Sequence, residues 1–226
     1  MNIEILHGHI FPEAKGVCIV IDVLRAFTTA AFAFDAGAKE IHFVSSIEEA
    51  FKRQKADPSL MLMGEIQGVP IEGFQFGNSP HQLHTGDVGG KTLVQRTTSG
   101  TQGVVGCSHA EHIFATSFVI ADATVEQVRA LNPTDVTIIA TGRNNGDEDL
   151  ALAEYLKQKL LGQPVELEPL LERVRSSYCA ERMQIGPNSY PDGTYDIQLA
   201  TQVNRFPFAI RVHQEDGHLI GRKTLS

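Results

Sequence analysis

Apolar and polar positions along the chain fall into blocks with two different periods. Gly16 to Val23 is a continuous β-branched run ending in Asp22-Val23-Leu24-Arg25, and Val17 to Asp22 has the pattern of an interior strand buried on both faces of a mostly parallel sheet. Ala26 to Ala36 then places Ala and Phe at helical spacing and stops before Gly37, a natural residue to end a helix. The same strand and helix rhythm continues. Lys39 to Val44 reads as a second strand, Ser45 or Ser46 as the cap of an amphipathic helix from Ile47 to Lys55, and Leu60 to Met63 as a third strand running into Gly64-Glu65. Residues 66–90 break the rhythm with Gly, Pro, His and Asn, and a loop of that length inside a domain usually serves function.

Lys91 to Arg96 restores a strand, followed by a helix from Gln102 to His109, a strand from His112 to Val119, a capped helix from Thr124 to Leu131, a strand from Asp135 to Ala140 and a helix from Leu150 to Leu161. Further on, Leu167 to Tyr178 and Asp196 to Val203 read as helices, and Phe208 to Val212 with His218 to Arg222 as a hairpin turning at Asp216-Gly217. The alternation predicts an α/β fold, a three-layer α/β/α sandwich with a mostly parallel mixed sheet, as one domain over residues 1–226.

Composition removes several classes of function. A net charge of -8 lacks the basic face with which a general nucleic-acid binder releases phosphate counterions, although a local basic pocket stays open. Cys18, Cys107 and Cys179 are odd in number and without CxxC spacing, so neither a disulfide scaffold nor a zinc site is expected, and the cytoplasm is the natural compartment. Met1 to Pro12 does not read as a signal peptide, and no apolar run reaches the ~18 residues of a membrane span. No nucleic-acid or membrane partner is therefore expected, and a homodimer is one assembly open to such a domain.

In open α/β sheets ligands sit beyond the carboxyl ends of strands. Four predicted strands end in polar groups: Asp22 and Arg25 after the first, Glu65 after the third, Arg96-Thr97-Thr98-Ser99-Gly100-Thr101 after the fourth, and Arg143 to Asp149 after the last. The hydroxyl-rich loop, capped by Ser99 or Thr101, has the N–H groups, hydroxyls and arginine that meet phosphate oxygens, and is equally the vocabulary of a plain βα turn. Arginines for an oxyanion beside carboxylates for a hard divalent cation form the recipe of metal-assisted phosphoryl or carboxylate chemistry, with Mg²⁺ as the default metal. Walker and dinucleotide glycine motifs are absent, and Leu24 stands where a phosphoaspartate enzyme would place a second Asp after Asp22. Cys18 reads as core, and Cys107 lacks the closing arginine of a thiolate phosphate loop. His81 and His84 lie in the long loop, facing a site or simply solvated.

Four ordered blocks resemble the magnesium-dependent 2-phosphosulfolactate phosphatases of coenzyme M biosynthesis. They are Val20 to Thr29, Gly73-Phe74-Gln75-Phe76-Gly77-Asn78-Ser79-Pro80, Arg96 to Thr101, and Glu148-Asp149-Leu150. The resemblance covers roughly Ile3 to Leu161 and implies a compact α/β/α fold hydrolysing a small acidic phosphomonoester. On that basis Asp22, Arg25, Glu65, Arg143 and Glu148 are expected to be catalytic. Asn78, Ser79, Arg96, Thr97, Thr98, Ser99, Gly100 and Thr101 are expected to bind substrate, and Asp22, Glu65 and Glu148 to hold Mg²⁺. Two positions depart from the family pattern: Ile66 replaces an arginine after Gly64-Glu65, and Ser99 replaces an asparagine. Losing that arginine removes a bidentate anion partner. Two other readings stay open, a non-catalytic anion-binding protein and a hydrolase or lyase of another acidic metabolite.

Overall fold

The apolar run before Asp22 is strand β2 of a ten-stranded sheet, and its alternate residues face two different cores. The computed structural model describes residues 1–8, 16–142, 146–184 and 192–225. In chain order the elements are β1 (Asn2–His7), β2 (Val17–Ile21), α1 (Ala26–Asp35), β3 (Glu40–Phe43), α2 (Ile47–Ala56), β4 (Met61–Ile66), β5 (Val69–Pro70), α3 (Pro80–Thr85) and β6 (Thr92–Arg96). They continue with α4 (Gly100–Gly106), β7 (His112–Thr116), a 3₁₀ turn (Phe118–Ile120), α5 (Ala121–Ala130), β8 (Asp135–Ala140), α6 (Asp147–Leu160), α7 (Leu167–Arg175), α8 (Tyr178–Gln184), α9 (Gly193–Ala200), β9 (Phe208–Glu215) and β10 (His218–Leu225).

The strand order is β1-β8-β2-β7-β9-β10-β3-β6-β4-β5. β2 lies between β8 and β7, an interior strand with every residue buried, as its composition requires. Val17, Ile19 and Ile21 pack under α5, α6 and α7, while Cys18 and Val20 face α1. Helices therefore cover both faces, and the three-layer sandwich read from the sequence is the architecture found. β1, β8, β2 and β7 form one parallel block, and β3, β6 and β4 a second. The antiparallel hairpin β9–β10 joins them, so three successive antiparallel pairings reverse the second block relative to the first.

In a flat sheet this reversal would send the carboxyl ends of the two blocks to opposite edges. Sheet twist offsets it: six steps from β2 to β4 accumulate a rotation of roughly 120–150°, which brings the reversed strands back to a similar heading. The ends then meet around α1, whose nine residues from Ala26 to Phe34 are all buried. α1 shares one core with residues of both blocks and of the hairpin.

Several boundaries differ from the sequence reading for local physical reasons. β1 was not foreseen, because an edge strand with only half-buried apolar positions and several exposed polar ones carries a weak signal. The long segment after Glu65 contains β5 and α3, the latter capped by Ser79, whose Oγ accepts from Gln82 N–H. Ser46 caps α2 as expected, accepting from Glu49 N–H. α4 spans Gly100–Gly106 rather than starting at Gln102 and reaching His109. The expected strand to Val119 stops at Thr116 and turns through the 3₁₀ segment; Thr124 is no cap, since its hydroxyl donates to Ile120 O inside a helix starting at Ala121. α6 starts at Asp147 rather than Leu150, the helix expected to reach Tyr178 ends at Arg175 with α8 beyond it, and α9 starts at Gly193 rather than Asp196. The β9–β10 turn sits at Asp216-Gly217, both with positive φ, as a tight hairpin demands. No described helix is long and apolar enough to cross a membrane.

α1 supplies a stability test. Phe27 is fully buried with its ring edge-on to Phe43 at 6.0 Å, whereas Phe51 on α2 is 38% exposed. Phe27→Ala is expected to cost about 3–5 kcal/mol in denaturant unfolding, and Phe51→Ala about 1 kcal/mol or less. Equal costs would contradict the central role given to α1.

Candidate active site

Strand ends from both blocks enclose a cavity of about 360 Å³. Asp22 follows β2 directly and is buried. Its Oδ1 accepts Ala26 N–H at 2.9 Å, and the carboxylate also takes Gly100 N–H from the start of α4. Gly100 permits this approach, since a Cβ there would lie 2.7 Å from Asp22 Oδ2 and 2.8 Å from Ala26 Cβ. The anion held by this helix start is thus the protein's own carboxylate. Asp149 reaches the same floor from the first turn of α6 and accepts Val23 N–H at 2.8 Å. Glu148 beside it completes a group of three buried acids lining the cavity.

Burial raises all three carboxyls. Asp22 is pushed up to about 7, by desolvation first and then by the charges of Glu65 and Glu148, while the Ala26 and Gly100 N–H groups oppose the shift. Asp149 sits well above the ordinary carboxylate range through desolvation, reinforced by Asp22 and Glu148. Glu148 is raised by desolvation, and its bond from Ser177 acts the other way.

The opposite side is built by Glu65 at the end of β4. Its Oε1 accepts Thr98 N–H at 2.6 Å, and its Oε2 accepts the Thr98 hydroxyl at 3.0 Å and Gly68 N–H. Both oxygens are engaged in holding the loop that brings Thr98 and Ser99 to the cavity. Gly64 lets β4 and β6 approach this closely: its φ is +147°, and an added Cβ would lie 1.9 Å from Arg96 O.

Other expected site residues stand behind this wall. Arg96 donates to Glu65 O, and Thr97 and Thr101 bond reciprocally, the Thr101 hydroxyl accepting Thr97 N–H and Thr97 Oγ1 accepting Thr101 N–H. Ser99 is the first residue of the α4 cap but accepts no capping bond through its side chain, and Thr101 lies inside the helix, so neither hydroxyl caps it as expected. Ser79 donates to Asp196 Oδ1 at 2.7 Å, and Asp196 Oδ2 pairs with Arg25 Nη1 at 2.7 Å. Arg25 and Asn78 line the cavity, and the buried Oδ1 of Asn78 has no hydrogen-bond partner among the described residues. Arg143 lies outside the described residues. His81 stacks on Tyr195 and His84 packs edge-on to Phe32, and neither lines the cavity.

Sequence reasoning passed over three contributors. Asp149 was visible in the Glu148-Asp149 block, yet an expected helix start at Leu150 left it in the preceding turn. Asp196 is 171 residues from Arg25, and nothing local signals their pairing. The wall made by Tyr178, Cys179, Arg182 and Met183 follows from the unexpected break between α7 and α8. Burial holds the Cys179 thiol far above its ordinary range, and its Sγ donates to Leu24 O, so it is a protonated wall group rather than a thiolate nucleophile.

Comparison with known proteins puts the chain among phosphoric monoester hydrolases. Residues 5–183 match the family described as 2-phosphosulpholactate phosphatase. A protein of Bacillus subtilis named probable 2-phosphosulfolactate phosphatase is 40% identical over 185 residues, covering 80% of this chain and 81% of that protein. One of the same name from Thermus thermophilus is 35% identical over 205 residues, covering 88% and 81%, and one from Deinococcus radiodurans is 32% identical over 163 residues, covering 69% and 67%. The chain belongs to the 2-phosphosulfolactate phosphatase family.

The raised Asp22 carboxyl sets a pH dependence. In the unfolded chain this group loses its proton near 4, but in the folded protein it keeps it to about 7. Over that interval the folded state binds more protons, so stability falls as pH rises. Asp22→Asn, which keeps an acceptor for Ala26 N–H, removes this loss. In urea unfolding with EDTA present, the variant is expected to match wild type near pH 4 and to exceed it by at least ~1 kcal/mol by pH 8. A difference that stays constant with pH would rule this out.

Proposed function

We propose that the protein is a Mg²⁺-dependent phosphatase that converts 2-phosphosulfolactate and water to 3-sulfolactate and phosphate. The carrying observation is the gathering of Asp22, Glu148 and Asp149 in one cavity with the Thr98-Ser99 loop and Arg25. The substrate is taken from the name its relatives bear.

The donor chemistry suits the metal. Three buried acids, all raised by desolvation and with Glu148 adding its charge to Asp22 and Asp149, are hard oxygen donors that a divalent cation relieves. Mg²⁺ needs only one or two carboxylates, because waters and phosphate oxygens fill its other positions. One or two of Asp22, Asp149 and Glu148 would hold the ion. Glu65, a ligand in the sequence reading, instead has both oxygens committed to Thr98 and Gly68 and serves as the clamp of the loop. When bound, Mg²⁺ supplies charge neutralisation at the phosphoryl oxygens.

The chain's own groups do the rest. Thr98, Ser99 and Asn78 offer hydrogen bonds to substrate oxygens, and Arg25, fixed by Asp196, adds a positioned cation. With Leu24 in place of a second Asp after Asp22, water rather than Asp22 is the nucleophile. A non-catalytic anion site is disfavoured by the same carboxylates, which repel a bare anion. The reading carries with it a reducing, cytoplasmic setting, in keeping with three free thiols.

Phosphate release from 2-phosphosulfolactate with Mg²⁺ or EDTA tests this. Turnover is expected to vanish with chelator and return with Mg²⁺, and to fall at least ~100-fold in Asp22→Asn and Asp149→Asn. Tight phosphate binding without turnover, or turnover indifferent to chelator, would overturn it.

A further inference from the structure

The acids of the cavity floor come from the strand ends and α6, but the facing wall has a different character. Tyr178, Cys179, Arg182 and Met183 of α8 line it, at spacings that put them on one helix face. Within this wall the Arg182 guanidinium lies 5.9 Å from the centroid of the Tyr178 ring. The aromatic face holds the cation by its quadrupole without using its N–H groups.

Arg182 and Arg25 are the arginines lining the cavity among the described residues, and their situations differ. Arg25 is buried and spends Nη1 on Asp196, an acid further engaged by the Ser79 hydroxyl and His81 N–H. Arg182 is exposed and makes no ion pair among the described residues. The substrate proposed above carries a carboxylate and a sulfonate besides its phosphate, so three acidic groups enter a cavity of about 360 Å³. Its phosphate belongs with the metal-holding acids, and its other two acids, repelled by any carboxylate left unneutralised, need cations away from that floor. Arg182, whose planar fork of N–H donors makes no hydrogen bond among the described residues, is placed to supply one with two donors at once.

We propose that Arg182, steered by Tyr178, is a specificity-determining residue that binds one of the substrate's two further acidic groups, its sulfonate or its carboxylate. This rests on the phosphatase reading given above. The side chain sits on the rim of the reaction rather than at the scissile bond. Its contribution is therefore to affinity for a substrate with acidic groups beyond its phosphate more than to the chemical step.

The test compares wild type, Arg182→Gln and Arg182→Lys on 2-phosphosulfolactate and on 4-nitrophenyl phosphate, which has no second acid, together with calorimetric binding of 3-sulfolactate. Arg182→Gln should lower the kcat/KM preference for 2-phosphosulfolactate about 10- to 100-fold, through KM rather than kcat, and weaken 3-sulfolactate binding to a similar degree. Arg182→Lys, which keeps the charge and loses the fork, should fall between the two. An unchanged preference, or a loss shared equally by both substrates, overturns the proposal. Should the wild type hydrolyse neither ester, the phosphatase reading fails by itself. The calorimetry then still decides about Arg182, because 3-sulfolactate binding that is absent in wild type or unaltered in Arg182→Gln overturns its role.

Discussion

The structure depends on a helix that meets no solvent along nine consecutive residues. Ala26 to Phe34 of α1 are buried among both parallel blocks and the hairpin between them, so the sheet must wrap this helix. Burial on that scale is favoured by removal of apolar surface, of the order of 25 cal/mol per Å², and the alanines and phenylalanines of α1 alternate small and large volumes against the sheet. Wrapping is also what brings two sets of strands with opposite headings to one cavity. The site is thus a product of the core, and its two sides are held in register by contacts with the same helix.

Placing the start of such a helix beside a cluster of acids has an electrostatic logic. The Asp22 carboxylate accepts N–H groups from the starts of both α1 and α4, and Glu148 and Asp149 occupy the first turn of α6. Three helix starts therefore point partial positive charge at the acids. This compensation is incomplete, as the raised Asp22, Glu148 and Asp149 carboxyls attest. The folded protein carries the desolvation cost of these buried acids, with some mutual repulsion added, and the apolar burial of α1 offsets it.

The sequence made the interior strand, the helical spacing of α1 and the polar strand ends legible, because each is written in a few adjacent residues. The four resembling blocks named the neighbourhood of the cavity, and Asp22, Glu65, Asn78, Thr98, Ser99 and Glu148 do line it together. What stayed hidden was tertiary. That Arg96, Thr97 and Thr101 turn to Glu65 or to one another depends on loop geometry which composition leaves open. The Asp196 partnership with Arg25 spans most of the chain, and the α8 wall depends on a break between helices made of ordinary helix-forming residues. Periodicity also says nothing of strand order, so two opposed blocks and a central hairpin could not be foreseen.

The hairpin has a bearing on how the molecule comes into being. β9 and β10 follow every other described element in the chain, yet they lie at the middle of the sheet, pairing with β7 on one side and β3 on the other. During synthesis at roughly 5–20 residues per second, both parallel blocks leave the ribosome before the strands that join them exist. Until those strands emerge, β7 and β3 present unpaired edges that must be kept from other chains. The acids on the first block and the Glu65-Thr98 clamp on the second then belong to unconnected halves. The cavity is complete only when the last hairpin lies between the two halves and closes them around α1.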